Sequence, residues 1–244
     1  MADSPARCEL RDGVCTITLD DGNRNVINPA MIRAVNAALD RAEQERAVVL
    51  LTGAGEAFSA GFDLKLMKRG NGETLAMLSG GFKLAERLLG FPQPVVIACN
   101  GHAMAMGAFL LLSGDMRVGA EGAYKVATNE VEIGLTMPAA GVELCRRRLV
   151  PAHFSRAVLL SESYTPAGAV EAGFLDQLVP PEALADKAFA LAAHYTRLDR
   201  RAYYQTKLRA RHDALANLRK FNVTDRAGFL MEGARRFLES KRTS

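Results

Sequence analysis

Short apolar segments rich in β-branched residues alternate along this chain with longer segments of helical periodicity. Val48–Thr52 and Val95–Cys99 are apolar runs of the kind found in strands that are buried on both faces of a sheet. Asn28-Pro29 has the residues of a helix start, and apolar residues follow it at helical spacing. The same spacing recurs over Glu73–Leu89. This alternation predicts an α/β fold.

The pattern of the chain changes near residue 180. Cys8–Asp20 predicts two short strands joined at Asp12-Gly13, and Phe174–Val179 predicts one more strand. From Glu182 onward the pattern is helical, with breaks near Asp199 and near residues 222–225. We therefore predict an α/β core over residues 1–180 and a helical C-terminal region over residues 181–244.

The composition excludes several classes of protein. The 244 residues are 49% hydrophobic and 24% charged, unlike a disordered chain, a collagen or a disulfide-rich scaffold. The chain has 31 basic and 27 acidic residues, which gives a net charge of +4. This excess is small and spread along the chain. It suits an anionic small molecule, but it is too weak to indicate nucleic acid.

Targeting and metal-binding signals are missing from the sequence. The N-terminus has no apolar segment like that of a signal peptide, and no apolar run reaches the roughly 20 residues of a membrane span. We therefore expect a cytoplasmic protein that has no membrane partner. The cysteines form no C-x-x-C motif, so we expect no metal site and separate reduced thiols at Cys8, Cys15, Cys99 and Cys145.

Two turns that contain glycine are the most informative local feature. Each follows a predicted strand and leads towards a helix, over Thr52–Lys65 and Cys99–Phe109. Small residues let a ligand approach the backbone, and the N–H groups at a helix start carry partial positive charge. Two such turns aimed at one point would make an oxyanion hole. Two tight turns in a packed core are the alternative, and spacing alone does not choose between them. Neither turn has the glycine pattern of a P-loop, a dinucleotide site or a serine nucleophile elbow.

Four motifs in a fixed order carry a family resemblance. AFSAGFDLK is followed by PVVIACNGHAMAMGAFLLLSGD, then by NEVEIGL and by PAGAVEAGFLDQLV. This combination resembles the crotonase superfamily of enoyl-CoA hydratases and isomerases, over about Arg7 to Lys241. The motifs are specific for the superfamily and much less specific for the reaction.

The resemblance implies a crotonase-like spiral of ββα units, an acyl-CoA thioester substrate and no cofactor beyond the coenzyme A of the substrate. It also implies a homotrimer or a dimer of trimers, with the C-terminal helices in the contacts. By position, the N–H groups of Phe62 and Met106 would form the oxyanion hole. Residues that the resemblance places at the substrate or its coenzyme A are Ala60, Gly61, Asp63, Lys65, Gly107, Phe109 and Lys241.

The carboxylates distinguish reactions within the superfamily. Hydratases of the family have two glutamates, and the first of these positions is Phe109 here, which cannot transfer a proton. Glu130 matches the second. Moving a double bond requires one base, whereas adding water usually requires two carboxylates to hold it. The motif therefore resembles the Δ3,Δ2-enoyl-CoA isomerases, with Glu130 as the catalytic base and the helix expected over Thr224–Lys241 compatible with that group.

Other interpretations remain open at the level of sequence. A hydratase, or another enolate-forming lyase or hydrolase, would recruit a different second acid such as Glu132. His102 is either a proton carrier or a packed core histidine, and Asp63 and Asp115 are expected to hold loops and helix ends. A protein that binds RNA or another ligand on the same scaffold is the alternative from another class. The basic stretches at residues 146–148 and 197–211 are expected to be solvated helix faces.

Overall fold

The computed structural model describes residues 4–221, in which strands and helices alternate as predicted. The strands are β1 Ala6–Arg11, β2 Val14–Leu19, β3 Val48–Gly53, β4 Ala57–Ser59, β5 Val95–Cys99, β6 His102–Met104, β7 Met116–Ala120, β8 Val126–Ala127 and β9 Gln177–Val179. The helices are α1 Pro29–Gln44, α2 Leu64–Met67, α3 Gly72–Leu89, α4 Met106–Leu112, α5 Ala139–Arg148, α6 Pro151–Leu160, α7 Pro166–Ala172, α8 Leu184–Tyr195 and α9 Arg200–Ala210. Residues 212–221 are also helical.

The larger sheet has the order β1-β2-β3-β5-β7-β9 among the described residues. Only its first pair, the predicted hairpin β1–β2, is antiparallel. The other pairs are parallel, so their carboxyl ends lie at one edge of the sheet. Helix α1 packs against β1, β2 and β3, while α8 packs against β2, β3, β5 and β7. Helices therefore cover the apolar strands β3 and β5, and every residue of β5 is buried.

The smaller sheet explains how the chain forms its spiral. Strands β4, β6 and β8 pair in parallel, and each follows one strand of the larger sheet. The chain thus runs three times from a long strand to a short strand and then towards a helix. This confirms the crotonase-like α/β spiral. Strands β4 and β6 lie in segments that the sequence predicts as a loop and a turn, because three residues are too few to show a periodicity of two.

Helix boundaries follow the capping residues closely. Asn28 caps α1 by accepting a hydrogen bond from Met31 N at 2.9 Å, with Pro29 as the first helical residue. Thr165 caps α7, and Gly173 ends it with a φ of 91°. Asp199 caps α9 at the predicted break. The expected helix Thr224–Lys241 and the break near 222–225 lie outside the described residues.

The helical region after residue 180 is in direct contact with the core. Its helix α8 buries Leu184, Ala188 and Ala192 against the larger sheet. Within residues 4–221, no helix is long and apolar enough to cross a bilayer.

Candidate active site

The first glycine-containing turn lies between β4 and α2. Gly61 has a φ of 86°, and a Cβ on it would lie 2.7 Å from Met104 O and 3.2 Å from Met106 N. Both the conformation and the lack of space require glycine here. Hydrogen bonds of Ser59 hold this turn in place, because Ser59 Oγ donates to Asn25 O at 2.7 Å and accepts from Gly61 N at 3.2 Å. The short distances from a Cβ on Gly61 to Met104 O and Met106 N show that the two turns predicted from the sequence are in contact.

The second turn lies between β6 and α4. Ala105 has a φ of 48° and a ψ of −118°, a conformation that residues other than glycine rarely adopt. Its N–H donates to Ala127 O at 2.9 Å, which ties the turn to the end of β8. A Cβ on Gly107 would overlap the carbonyl group of Ser59, so α4 begins directly against the first turn. The strained Ala105 sets the direction in which Met106 enters the helix.

The amides of Phe62 and Met106 have no acceptor in the part of the chain that the structure describes. Ile27 and Phe62 form an isolated parallel β-bridge, whose hydrogen bonds are made by the residues on either side of Phe62. Ile27 N donates to Gly61 O, and Asp63 N donates to Ile27 O. Phe62 N–H has no acceptor within the described part of the chain. Met106 N–H opens α4 and likewise has none among residues 4–221, as expected in the first turn of a helix. Two unpaired donors thus lie on turns that touch each other.

Glu130 lies three residues after the end of β8, in a turn closed by a 2.8 Å hydrogen bond from Leu135 N to Glu130 O. Its side chain is only 6% exposed, and Oε2 has no hydrogen-bond partner among the described residues. Burial raises the pKa of this carboxyl from its ordinary 4.5 to about 7. The bond from Ala105 to Ala127 connects the second turn with the strand that leads to Glu130. A carboxyl with this pKa can exchange a proton near neutral pH.

The aromatic ring of Phe109 is buried and packs against neighbouring residues of the core. The residue is 1% exposed, and its ring lies 5.6 Å from that of Phe82, which lies 6.2 Å from that of Phe62. A Cβ on Gly141 would lie 2.7 Å from Phe109 Cζ, so glycine in α5 makes room for the ring. An aromatic row therefore runs from the first turn to position 109.

The other predicted site residues occupy different environments. Asp63 Oδ1 accepts from Lys65 N at 2.8 Å and from Leu66 N at 3.1 Å, so its carboxylate caps α2 as expected. Ala60 N donates to Arg24 O, and the side chain of Lys65 is exposed. Lys241 lies outside the described residues.

The two alternative acid–base residues lie in different environments. Glu132 is exposed, and its N–H donates to Ser161 Oγ at 3.1 Å. His102 Nδ1 accepts from Lys125 N at 3.2 Å, and its ring packs edge-on against Tyr124. His102 is thus hydrogen-bonded and partly buried.

Several residues that shape the site were missed by sequence analysis. Asn25, 1% exposed, donates from its amide to Ala57 O at 2.7 Å and to Ala54 O at 2.9 Å, which holds the approach to β4. Cys145 is fully buried, and burial, followed by the nearby charge of Glu130, raises the pKa of its thiol. The polar run before Asn28 was a signal for Asn25. No local signal marks Cys145, because it comes from a distant helix.

The basic stretches are not solvated throughout, contrary to the expectation. Lys207 is 5% exposed, and its Nζ lies 2.8 Å from Asp115 Oδ2. Arg211 pairs with the same carboxylate at 2.8 Å and donates to Leu89 O at 2.7 Å. Arg148 donates to Leu112 O and Gly114 O. These cations bind carbonyl groups and a carboxylate inside the protein, so they are unavailable to a nucleic acid.

Asp115 holds neighbouring elements together as predicted. In addition to its two cationic partners, Oδ2 accepts from Val95 N at 2.7 Å and from Tyr203 Oη at 2.8 Å.

Residues 4–221 contain no cluster of three or more side chains suited to a metal ion.

Known proteins with the same architecture carry names for related reactions. Residues 9–238 match the model of a family described as enoyl-CoA hydratase/isomerase. A structure described as an enoyl-CoA hydratase from Mycobacterium marinum is 42% identical, with a TM-score of 0.89, over 92% of this chain and 99% of that chain. A structure described as an enoyl-CoA isomerase from Mycobacterium tuberculosis is also 42% identical, with a TM-score of 0.86, over 90% and 96%.

The names of similar proteins divide between reactions. Another structure of the same M. tuberculosis protein carries a hydratase name. The 1,2-epoxyphenylacetyl-CoA isomerase of Escherichia coli K12 is 35% identical over 193 residues, which are 76% of this chain and 73% of that protein. Hydratase names are more frequent than enoyl-CoA isomerase names among the similar proteins. All of these matches nevertheless agree on the family.

Proposed function

Because the chain belongs to the enoyl-CoA hydratase/isomerase family, we propose that it converts a 3-enoyl-CoA into the conjugated 2-trans-enoyl-CoA. The observation that carries the proposal is one buried carboxylate, Glu130, combined with a packed aromatic ring at position 109. The shift of a double bond neither gains nor loses atoms or electrons. The reaction therefore needs no cofactor, coenzyme A being part of the substrate.

The two free amides would bind the thioester oxygen. As a proton leaves C2, negative charge moves onto this oxygen, and the N–H groups of Phe62 and Met106 stabilise the enolate. A preorganised donor of this kind typically contributes about 3 kcal/mol to the transition state. Of Met106, only the N–H is required for this role. Its buried side chain packs beside Gly81 rather than at the surface.

Glu130 would move the proton. Its carboxylate removes a proton from C2, the electron pair of that bond becomes part of the enolate, and the resulting acid returns a proton to C4. The double bond then lies between C2 and C3. A base whose pKa is near 7 can take up a proton and release it again near neutral pH, with a small free-energy cost for either step.

The described side chains give less support to water addition than to the shift of a double bond. A hydratase needs a water molecule held between acid and base, and position 109 carries a buried ring instead of a second carboxylate. Glu132, the acid that the hydratase alternative would recruit, is exposed. Hydratase names among the relatives favour this reaction as the second candidate. Its product would be a 3-hydroxyacyl-CoA.

The test is an activity screen with 2-enoyl-CoA and 3-enoyl-CoA of several chain lengths. With 3-enoyl-CoA we expect the absorbance of the conjugated thioester to appear. Replacing Glu130→Gln should lower kcat by about 10²- to 10⁴-fold, the usual contribution of a general base. The matched control Glu132→Gln alters an exposed carboxylate two residues away and should keep near-native activity. Full activity of Glu130→Gln would exclude the assignment, and formation of 3-hydroxyacyl-CoA from 2-enoyl-CoA would favour a hydratase.

Assembly and location belong to the same proposal. We expect a homotrimer or a dimer of trimers, which light scattering of the purified protein distinguishes from a monomer. We also expect a cytoplasmic enzyme, which fractionation of cells that produce it would test.

A further inference from the structure

Two of the cysteines that are separate in sequence meet in the β1–β2 hairpin. Cys8 Sγ and Cys15 Sγ are 2.7 Å apart, and both residues are free thiols. The strand register pairs Cys8 with Ile17 and Leu10 with Cys15, so the two cysteines are diagonal neighbours on one face of the hairpin. The expectation of separate thiols is therefore wrong for this pair.

We propose that Cys8 and Cys15 form an intramolecular disulfide when the protein meets a peroxide. A disulfide requires a sulfur–sulfur distance of about 2.05 Å, so the two sulfurs need to move together by less than about 1 Å. Both side chains already lie on the same face. The hairpin therefore holds the two sulfurs close enough to react with each other.

The two thiols differ in exposure, which assigns their order of reaction. Cys8 is partly exposed and can be reached by a small oxidant, whereas Cys15 is fully buried and lies 3.9 Å from Ala38 O of α1. Burial raises the pKa of Cys15 to about 12, with Cys8 as a further cause. Cys8 is thus the residue that attacks the oxidant, and Cys15 is the residue that closes the bond.

The chemistry balances with one peroxide for each pair of thiols. The sulfur of Cys8 attacks one peroxide oxygen, the O–O bond breaks, and the departing hydroxide takes the thiol proton as water. The sulfur of Cys15 then attacks the sulfenic acid of Cys8. The S–O bond breaks, hydroxide leaves with the proton of Cys15 as a second water, and the S–S bond forms. Two electrons pass from the thiols to the peroxide.

The disulfide would fasten the outermost strand of the larger sheet. Strand β1 lies at the edge of the order β1-β2-β3-β5-β7-β9, with β2 as its neighbour. A covalent link to β2 would fix its register, which the hairpin otherwise holds through the ladder and the packing of α1. The remaining thiols are poor competitors, because Cys99 and Cys145 are fully buried and burial raises the pKa of each.

The experiment treats the full-length native protein with hydrogen peroxide, then unfolds it, alkylates the free thiols and measures mass and thiol content. The chain has four cysteines, so the thiol count should fall from four to two, with the loss of two hydrogens. Trypsin cleaves after Arg7, Arg11 and Arg24, so residues 8–11 and 12–24 should be recovered as one linked pair. Reduction with dithiothreitol should restore four thiols.

Variants separate this pair from the other cysteines. Cys8→Ser changes a partly exposed residue and should keep all three of its thiols under the same treatment. The control Cys145→Ser should fall from three thiols to one, and circular dichroism checks that both variants are folded. Four surviving thiols in the native chain would overturn the proposal. So would oxygen added to Cys8 with Cys15 still free, or a bond between two chains.

Discussion

Ionisation of Glu130 should weaken the fold that holds it. Burial raises its pKa from 4.5 to about 7, so between these values the folded state keeps a proton that the unfolded chain has released. The stabilising contribution of the protonated carboxyl is complete below about pH 4.5 and is lost as the pH rises through 7. A difference of about 2.5 in pKa corresponds to about 3 kcal/mol, because one unit is worth about 1.4 kcal/mol.

The perturbation that exposes this effect is Glu130→Gln, since glutamine has nearly the same size and does not titrate. The free energy of unfolding of the variant, minus that of the native chain, should increase by roughly 2.5 kcal/mol between about pH 5 and pH 8.5. For a chain of this length, that change is about 5–10 °C in Tm. Any constant cost of burying the amide cancels, because only the change with pH is compared.

Urea unfolding at a series of pH values and one protein concentration measures this difference. Glu132→Gln is the control, because its carboxylate is exposed, and its difference from the native chain should stay flat. The kcat/KM of the native enzyme should rise through about pH 7 as the base ionises. A flat difference for Glu130→Gln over the same range would refute the claim that this carboxyl group is buried and that its pKa is raised by desolvation.

Three further tests, two of them with a companion substitution, probe the turns and the packing. Gly61→Ala should lower kcat by more than about 100-fold in an activity assay, because a Cβ at this position would press on the second turn. Gly55 is the control, because it has a similar φ of 71° but open space around it. Gly55→Ala should therefore lower thermal stability without lowering kcat. Gly141→Ala should lower the free energy of unfolding in urea by about 1–3 kcal/mol, because the new methyl group would collide with the ring of Phe109. Adding Phe109→Leu should recover part of that loss, because it removes the ring. Asp115→Ala should cost about 3–5 kcal/mol in urea because it leaves buried cations without their carboxylate, and an unchanged midpoint would show that the cluster does not stabilise the fold.

Much of the candidate site could be predicted because its chemistry depends on backbone geometry and on one residue. The pattern AGFD in the first turn indicates a glycine where only a glycine fits, and the structure places Gly61 against Met106 N. Apolar residues stand on both sides of Glu130 in the sequence, a pattern that favours burial, and Glu130 is 6% exposed. The capping residues Asn28 and Asp63 act within a few residues of themselves, so their roles were also predictable.

The errors concern groups whose environment comes from distant parts of the chain. Lys207 and Arg211 look like residues of a solvated helix, yet both contact Asp115, about 90 positions earlier in the chain. The spacing of Cys8 and Cys15 in the sequence predicts separate thiols, although the hairpin register places them on one face. Composition and spacing carry no information on which elements will pack together.

The sequence alone determined the alternation of strands and helices, the caps, the two turns and the identity of the residue that can carry a proton, because each of these depends on local propensity or on the chemistry of one side chain. Tertiary structure decided that the two turns touch, that Glu130 has no partner for its Oε2 among residues 4–221, and that a ring occupies position 109 against Gly141. These properties arise from desolvation and from close contact between segments far apart in the chain. They exist only once the parallel strands have brought those segments together.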